Sequence, residues 1–261
     1  MNGNQAEKRL GILYSLSAIF STMSLVCILI AWQHWSRTLN GCVGIDVDCG
    51  CILYGVNSFS TFMGGDVKIC HFGVYGLVPA IFMGVILGFY HGYRSCITRS
   101  LDEPKVTRGI SYYNNRSDNE GGVVVIAPKG RSPCKQWMTP TFLAALIGCL
   151  SLAHAVVVTD GYYKTCEQYT KQTLQMLGSR GREAEVIHNR LGCGSIFDFM
   201  DYLQPDTNNW RRGDEINTGL ALQLAISSSW FNFFIWGLIM CINLVMARQV
   251  HRILGDKLWC C

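Results

Sequence analysis

Long stretches without a single Asp, Glu, Lys or Arg recur four times along the chain, and polar, charged segments separate them. A transmembrane helix needs about 20 predominantly apolar residues to cross ~30 Å of hydrocarbon, and each stretch is long enough. Trp, Tyr or His residues stand near the ends of the stretches, as they do at membrane interfaces. One such run also fits a buried helix of a soluble protein, but four together predict a membrane protein. The stretches lie between Arg9 and Arg37, Lys68 and Arg94, Lys135 and Asp160, and Glu215 and Arg248.

This pattern predicts an all-α integral membrane protein, a four-helix transmembrane bundle with a small disulfide-bonded ectodomain. We expect transmembrane helices at 10–33, 72–92, 139–159 and 219–247, cytosolic segments at 1–9, 93–138 and 248–261, and outer loops at 34–71 and 160–218. Pro140 is expected in the first turn of the third helix, where proline is tolerated. The first stretch is too long for the apolar part of a signal peptide, which favours a retained anchor.

Composition and charge support the membrane class and indicate an orientation. Hydrophobic residues make up 49% of the 261 residues and charged residues only 15%, with a mean hydropathy of +0.21. The second loop carries eight Lys and Arg residues, whereas the compact first loop carries two. Because cytosolic loops retain positive charge during insertion, the termini and the second loop are expected in the cytosol.

The 13 cysteines give an independent argument for this orientation, because disulfides persist outside the cytosol and are rare within it. Cys49 and Cys51 are too close to pair with each other, so at least one is expected to reach Cys42 or Cys70, or to cross to the third loop. A bridge between the two outer loops would clamp them into one ectodomain. The outer loops hold an even number of cysteines, suited to three bridges: Cys42, Cys49, Cys51, Cys70, Cys166 and Cys193.

Four other cysteines lie next to the predicted spans on the cytosolic side. Such positions are sites of S-acylation, and palmitoyl chains there would hold the second loop and the tail against the inner leaflet. Unmodified thiols are the alternative. These lipidation candidates are Cys96, Cys134, Cys260 and Cys261.

Small residues at four-residue spacing form a ladder along the second span: Gly76, Ala80, Gly84 and Gly88. Transmembrane helices approach closely where such residues lie, so the ladder is predicted to be a helix-packing face. The polar residues of the other spans, Gln223, Asn232, Asn243 and His154, are expected to hydrogen-bond neighbouring helices rather than to line a pore.

Motifs of catalysis are missing from the sequence: there is no nucleophile elbow, zinc-protease motif or phosphate loop. Asp46 and Asp48 are too few for a calcium site, which gathers six to eight oxygens, and are expected in a turn. We therefore expect no enzyme, cofactor, metal or nucleic-acid partner. The one glycosylation sequence, at Asn115, lies in the second loop and is expected to stay bare in the cytosol.

Local motifs at the edges of the spans carry a family resemblance. They are residues 51–55 (Cys-Ile-Leu-Tyr-Gly), 70–72 (Cys-His-Phe), 159–166, 222–224 (Leu-Gln-Leu) and 228–231 (Ser-Ser-Trp-Phe). Through them the chain resembles the transmembrane protein 179 family, over the four spans but not over the middle loop or the extended third loop. The resemblance implies a multi-pass membrane protein without established enzymatic activity. The chain lacks the Gly-Leu-Trp of claudins and the Cys-Cys-Gly of tetraspanins, and its outer cysteines divide four and two, unlike the three and three of connexins.

Three functions follow as expectations from these patterns. The leading one is a non-enzymatic tetraspan that organises or modulates partner membrane proteins, or copies of itself, through its clamped outer loops and small-residue helix face. The second is an oligomeric channel or transporter with Gln223, Asn232 and Asn243 along its path, and the third is a cell-adhesion or junction protein. The plasma membrane is the favoured location, with an internal membrane as the alternative.

Overall fold

The computed structural model describes residues 3–39, 48–58, 62–96, 133–176, 178, 181, 185–186, 191–203 and 216–254. Four segments are long and apolar enough to cross a membrane, which confirms the predicted number: Gln5–Trp35, Val67–Ser95, Trp137–Gln175 and Thr218–Gln249. The elements are α1 (Gly3–Trp35), β1 (Cys51–Asn57), β2 (Phe62–Gly65), α2 (Val67–Tyr75), α3 (Val78–Cys96), α4 (Pro133–Met176), α5 (Cys193–Leu203) and α6 (Thr218–Leu254).

The two central helices, α1 and α6, bury residues that alternate at spacings of three and four, the repeat of a left-handed coiled coil. In α1 these are Leu10, Tyr14, Ser17, Ser21, Ser24, Ile28, Ala31 and Trp35; in α6 they are Thr218, Leu222, Ala225, Ser229, Asn232, Trp236, Ile239, Asn243 and Met246. The opposite sides of both helices expose large apolar residues, such as Ile19 and Phe234. An apolar surface of this kind suits contact with lipid. The buried residues listed above form a seam between the two helices, and the serines and alanines in it let the helices approach closely.

Helix α1 packs against both α3 and α6, and α6 packs against α4. Contact between α3 and α4 is sparse, so the bundle is ordered α3, α1, α6, α4 rather than closed evenly on itself.

The second candidate span is broken, unlike the single helix expected over 72–92. Helix α2 ends at Tyr75 and α3 begins at Val78, with a turn between them. Pro79 explains the break, because proline has no amide hydrogen and its ring crowds the carbonyl four residues earlier. Helix α2 itself begins before the predicted span, where the Asp66 carboxylate accepts a hydrogen bond from Lys68 N at 2.9 Å.

Three further expectations need correction. Pro140 lies inside α4, not in its first turn, because the helix already begins at Pro133. The helix also continues without interruption through Asp160 to Met176, beyond the end expected at 159 and into the segment assigned to the third loop. The fold class is not purely α-helical, since β1 and β2 form an antiparallel hairpin.

Candidate functional site: the outer cap

A compact structure covers the outer ends of the helices. We call it the outer cap, and it consists of the β1–β2 hairpin, α2, α5 and residues 160–176 of α4. Its buried core joins side chains from every one of these elements to the ends of α1 and α6. The core includes Trp35, Leu39, Ile52, Leu53, Phe62, Val74, Tyr162, Tyr169, Ile196, Phe197, Met200 and Leu222.

The two strands of the hairpin approach each other closely where β2 contains glycine. Cys51 lies opposite Gly65 and Asn57 opposite Phe62, with an irregular register between them. Tyr54 falls in this irregularity and has a φ of 59°, a left-handed conformation that is uncommon outside glycine. A Cβ atom on Gly65 would collide with the carbonyl oxygens of Leu53 and Tyr54, so only glycine fits there.

Thr165 of α4 anchors the backbone of β1. Its hydroxyl donates to the Ile52 carbonyl at 2.9 Å and accepts from the Gly55 amide at 3.0 Å. The Thr165 side chain is fully buried, so it replaces the strand partner that these two backbone groups would otherwise lack.

Tyr54 adds a second contact between the hairpin and α4. Its hydroxyl donates to the Asp160 carboxylate at 2.7 Å, and Lys164 Nζ lies 4.9 Å from the centre of its ring. Burial, together with the neighbouring Asp160 charge, raises the pKa of Tyr54 to about 12. The phenol therefore remains a hydrogen-bond donor at neutral pH.

Gly161 lets the hairpin lie directly on α4. A Cβ atom at this position would be 2.9 Å from both Leu53 Cβ and Tyr54 Cε2. Farther along α4, the Phe62 ring meets Tyr169 edge to face at 5.1 Å, and Asn57 Nδ2 donates to Gln175 Oε1 at 3.1 Å. The contact thus extends over about 15 residues, or ~22 Å, of helix.

Two disulfides staple the cap. Cys51–Cys70 joins β1 to α2, and Cys166–Cys193 joins α4 to α5. Cys49 is disulfide-bonded as well, and Cys42 lies outside the described residues. Each of the two described bridges stays within one loop, and the described contacts between the loops are packing and hydrogen bonds.

Asp201 of α5 fixes the start of α6. Its two carboxylate oxygens accept from the Thr218 amide at 2.9 Å and from the Thr218 hydroxyl at 2.6 Å. Trp35 Nε1 of α1 donates to the same hydroxyl oxygen at 2.8 Å, so three elements meet there. Burial raises the pKa of Asp201, while the Thr218 donors and His34 oppose that rise.

Directly beneath the cap, His154 of α4 links three other helices of the chain. Its Nε2 lies 2.8 Å from the Gly73 carbonyl oxygen of α2, and Nδ1 lies 3.1 Å from Ser229 Oγ of α6. Because a carbonyl can only accept, Nε2 donates, and Nδ1 is free to accept from Ser229. Ser229 Oγ also lies 2.8 Å from Ser24 Oγ of α1. The fully buried ring is therefore a structural junction.

Of the amide side chains of α6, Asn232 and Gln223 hydrogen-bond other helices, and Asn243 bonds within α6. Asn232 Oδ1 accepts from Ser17 of α1 at 2.7 Å, and its Nδ2 donates to Ser151 of α4 at 3.1 Å. Gln223 Nε2 donates to the Tyr162 hydroxyl at 3.1 Å. Asn243 Nδ2 donates within its own helix, to the Ile239 carbonyl at 2.9 Å.

The small-residue ladder lies between helices of the same chain. A Cβ on Gly84 would be 2.9 Å from the Tyr14 carbonyl oxygen of α1, and one on Gly88 would be 3.1 Å from Ser15 Oγ. Ala80 is fully buried, and Gly76 lies beside the His154 ring. Helix α1 already covers the Gly84–Gly88 part of the ladder, so that part is not open to a partner protein.

The lipidation candidates are only partly placed. Cys96 is the last residue of α3 and Cys134 the second residue of α4. Cys260, Cys261 and Asn115 lie outside the described residues. Within the described ranges, no three His, Cys, Asp or Glu side chains come together in a way that could hold a metal ion.

The sequence did not indicate the roles of three residues that organise the cap. Tyr54 and Thr165 lie in the stretches 51–55 and 159–166 that carry the family resemblance, but nothing in those stretches predicts their contacts, and Asp201 is a single carboxylate outside any motif. Protein-family models, characterised proteins and solved structures give no match to this chain.

Proposed function

We propose that this chain is a multi-pass, non-enzymatic membrane protein that organises or modulates another integral membrane protein through the outer cap. The plasma membrane is the favoured site, with the termini and the second loop in the cytosol. The four long apolar helices and the resemblance to the transmembrane protein 179 family support the architecture.

The observation that carries the proposal is the two-sided character of α5. Its inner side, with Ile196, Phe197 and Met200, is buried in the cap core. Its outer side exposes 41% of Phe199 and 64% of Tyr202, which are three residues apart and share one face. Aromatic residues of this kind are common anchors of protein interfaces.

The position of α5 indicates where its partner lies. Gly194 O and Phe197 Cβ are each 3.4 Å from the position a Cβ would take on Gly219, in the first turn of α6. The exposed face therefore lies level with the outer end of the fourth candidate span, where a neighbour in the same membrane can reach it. The Cys166–Cys193 bridge and the Asp201–Thr218 contacts hold that face in place, which reduces the entropy lost on binding.

The test is affinity capture of the tagged, full-length protein from a gentle detergent. Phe199→Ala with Tyr202→Ala should lose a specific integral membrane partner that the unchanged chain recovers. Phe231→Ala with Phe234→Ala, which removes two comparably exposed aromatic rings from the side of α6, should retain it. Recovery by both variants, or recovery of no specific membrane protein by the unchanged chain, would refute the proposal. Gel-filtration profiles and intact disulfides establish that both variants are folded.

The channel alternative receives less support from the contacts. Asn232 hydrogen-bonds Ser17 and Ser151, and Gln223 hydrogen-bonds Tyr162, all within the same bundle. These side chains therefore bond within one chain rather than lining a path between copies. Solute flux through liposomes that contain the purified protein would favour that alternative over partner binding.

A further inference from the structure

Four buried side chains cluster in the half of the bundle opposite the outer cap, and each has a polar atom without a hydrogen-bond partner in the described part of the chain. The atoms are Tyr14 Oη of α1, His91 Nδ1 of α3, and Trp236 Nε1 and Asn243 Oδ1 of α6. Tyr14 and Trp236 are completely buried, and the exposed fractions of Asn243 and His91 are 1% and 7%.

Tyr14 lies at the centre of this cluster. The His91 ring stacks on its ring with the centroids 5.5 Å apart and the planes 8° from parallel. The Trp236 ring meets it edge-on at 5.7 Å. The Asn243 side chain lies close enough to the Tyr14 hydroxyl to interact with it, but neither that hydroxyl nor Asn243 Oδ1 has a hydrogen bond of good geometry in the described part of the chain.

Such a concentration of unpaired groups is unusual in a buried seam. Buried polar groups in proteins are nearly always paired, and hydrocarbon offers them no alternative partner. In the outer half of the same seam, the polar atoms of His154, Ser229 and Asn232 have partners, whereas the Ser21 hydroxyl alone among the seam serines lacks one in the described part of the chain. Four such atoms around one tyrosine therefore point to a partner other than the described residues.

We propose that this cluster is a binding site for ordered water. Trp236 Nε1 can only donate and Asn243 Oδ1 can only accept, whereas the Tyr14 hydroxyl can do both. Water, which offers two donors and two acceptors, satisfies this mixed set, and buried waters commonly make about three such bonds. A direct bond between Tyr14 and Asn243 would leave Trp236 and His91 unpaired, so small side-chain shifts do not suffice.

His91, the least deeply buried of the four side chains, marks the entrance to the site. Arg94 lies three residues after His91 in α3, at the same end of the bundle. Its Nε forms an ion pair with Glu7 Oε1 of α1 at 3.2 Å. This charged rim is where solvent meets the helices, so water enters from the side that the proposed topology places in the cytosol.

Radiolytic labelling of the full-length protein in H₂¹⁸O tests the proposal. Short X-ray pulses convert bound water to hydroxyl radicals, which oxidise the side chains that touch it, and mass spectrometry locates the ¹⁸O. Trp236 should be labelled several-fold faster than Trp35, which is equally buried but donates its Nε1 hydrogen to Thr218. Tyr14 should likewise exceed the buried Tyr162, whose hydroxyl is paired with Gln223.

Labelling of Trp236 no faster than that of Trp35 would overturn the proposal, and co-purification of a small organic molecule would then identify a different occupant. A second measurement uses Asn243→Leu, which removes the acceptor. In this variant, labelling of Trp236 should fall while that of Trp35 stays the same. Undiminished labelling of Trp236 would show that water near it is not held by this cluster.

Discussion

His154 shows how one side chain offsets a break in a neighbouring helix. Pro79 interrupts the second candidate span, and the carbonyl groups in the last turn of α2 lose their helical partners. His154 Nε2 donates to one of them, the Gly73 carbonyl, and the same ring reaches Ser229 on α6. The sequence indicated that His154 bonds a neighbouring helix, but the break that frees its acceptor was not predicted.

Replacement of this side chain should destabilise the bundle. We expect His154→Leu to leave the Gly73 carbonyl unpaired, which costs about 1–3 kcal/mol for a buried group. The Ser229 hydroxyl loses one contact but keeps those to Ser24 and to the Ala225 carbonyl. Thermal unfolding of the purified protein in detergent measures the loss. The control is Val156→Leu, at a half-exposed position two residues along α4, which should be close to neutral. Equal stability of the two variants would contradict the assigned role.

Asp201 predicts a pH dependence of stability. Because burial raises its pKa in the folded protein, the folded state binds the proton more tightly than the unfolded state does. The stability that protonation contributes is complete below the ordinary pKa of 3.8 and is lost as the pH rises through the folded-state value.

The matching variant is Asp201→Asn, which keeps one oxygen acceptor for Thr218 but does not ionise. The unfolding temperature of the unchanged chain, relative to that of Asp201→Asn, should fall as the pH rises through this window. Glu167→Gln, at an exposed position paired with Lys171, serves as the control and should show little such trend. A relative unfolding temperature that rises with pH would refute the sign of the shift.

At the scale of elements, the number of long apolar helices was easier to predict than their ends or the way they pack. The absence of charge located all four long helices, since that signal comes directly from the cost of placing charge in hydrocarbon. The seam was missed because many of its buried positions are filled by polar residues such as Ser17, Ser24 and Asn232, while many large apolar residues are exposed on the opposite sides of the helices. Methods based on apolar periodicity expect the reverse, as in a soluble protein.

The contact between α1 and α3 depends on Gly84, and a second glycine provides a matched control. Gly84→Ala places a Cβ atom 2.9 Å from the Tyr14 carbonyl oxygen, and overpacking of this kind typically costs about 1–3 kcal/mol. Gly237→Ala in α6 meets nothing within 4 Å and should be neutral or stabilise the helix by up to roughly 1 kcal/mol. Chemical or thermal unfolding compares the two, and equal effects would show that α1 and α3 are not in close contact at Gly84.

At the scale of the whole molecule, the cysteine pattern predicted an ectodomain cross-linked by disulfides. The described contacts between its two loops are instead hydrogen bonds and side-chain packing. Their connection runs through Thr165, Tyr54 and Phe62, which place a hairpin of the first loop on the extended α4. The extension was unexpected because Asp160 and Lys164 were taken to end the helix with the span. Charges end a transmembrane segment, but they do not end a helix, and here they form an ion pair at 3.0 Å on its surface.

This architecture predicts the orientation of the whole chain, which glycosylation can measure. Helix α4 continues 17 residues beyond the predicted end of the third span at 159, about 25 Å at helical rise. Leu177 follows it directly in the chain, and Leu177→Asn gives the acceptor sequence Asn-Gly-Ser with Gly178 and Ser179. Expression in cells with a glycosylating secretory pathway should add a glycan to this variant, visible as an enzyme-sensitive shift in gel mobility. The native sequence at Asn115 should stay bare if the second loop lies in the cytosol, as the proposed topology requires. A glycan on Asn115 would invert the orientation and place both described disulfides in a reducing compartment, where bridges of this kind rarely persist.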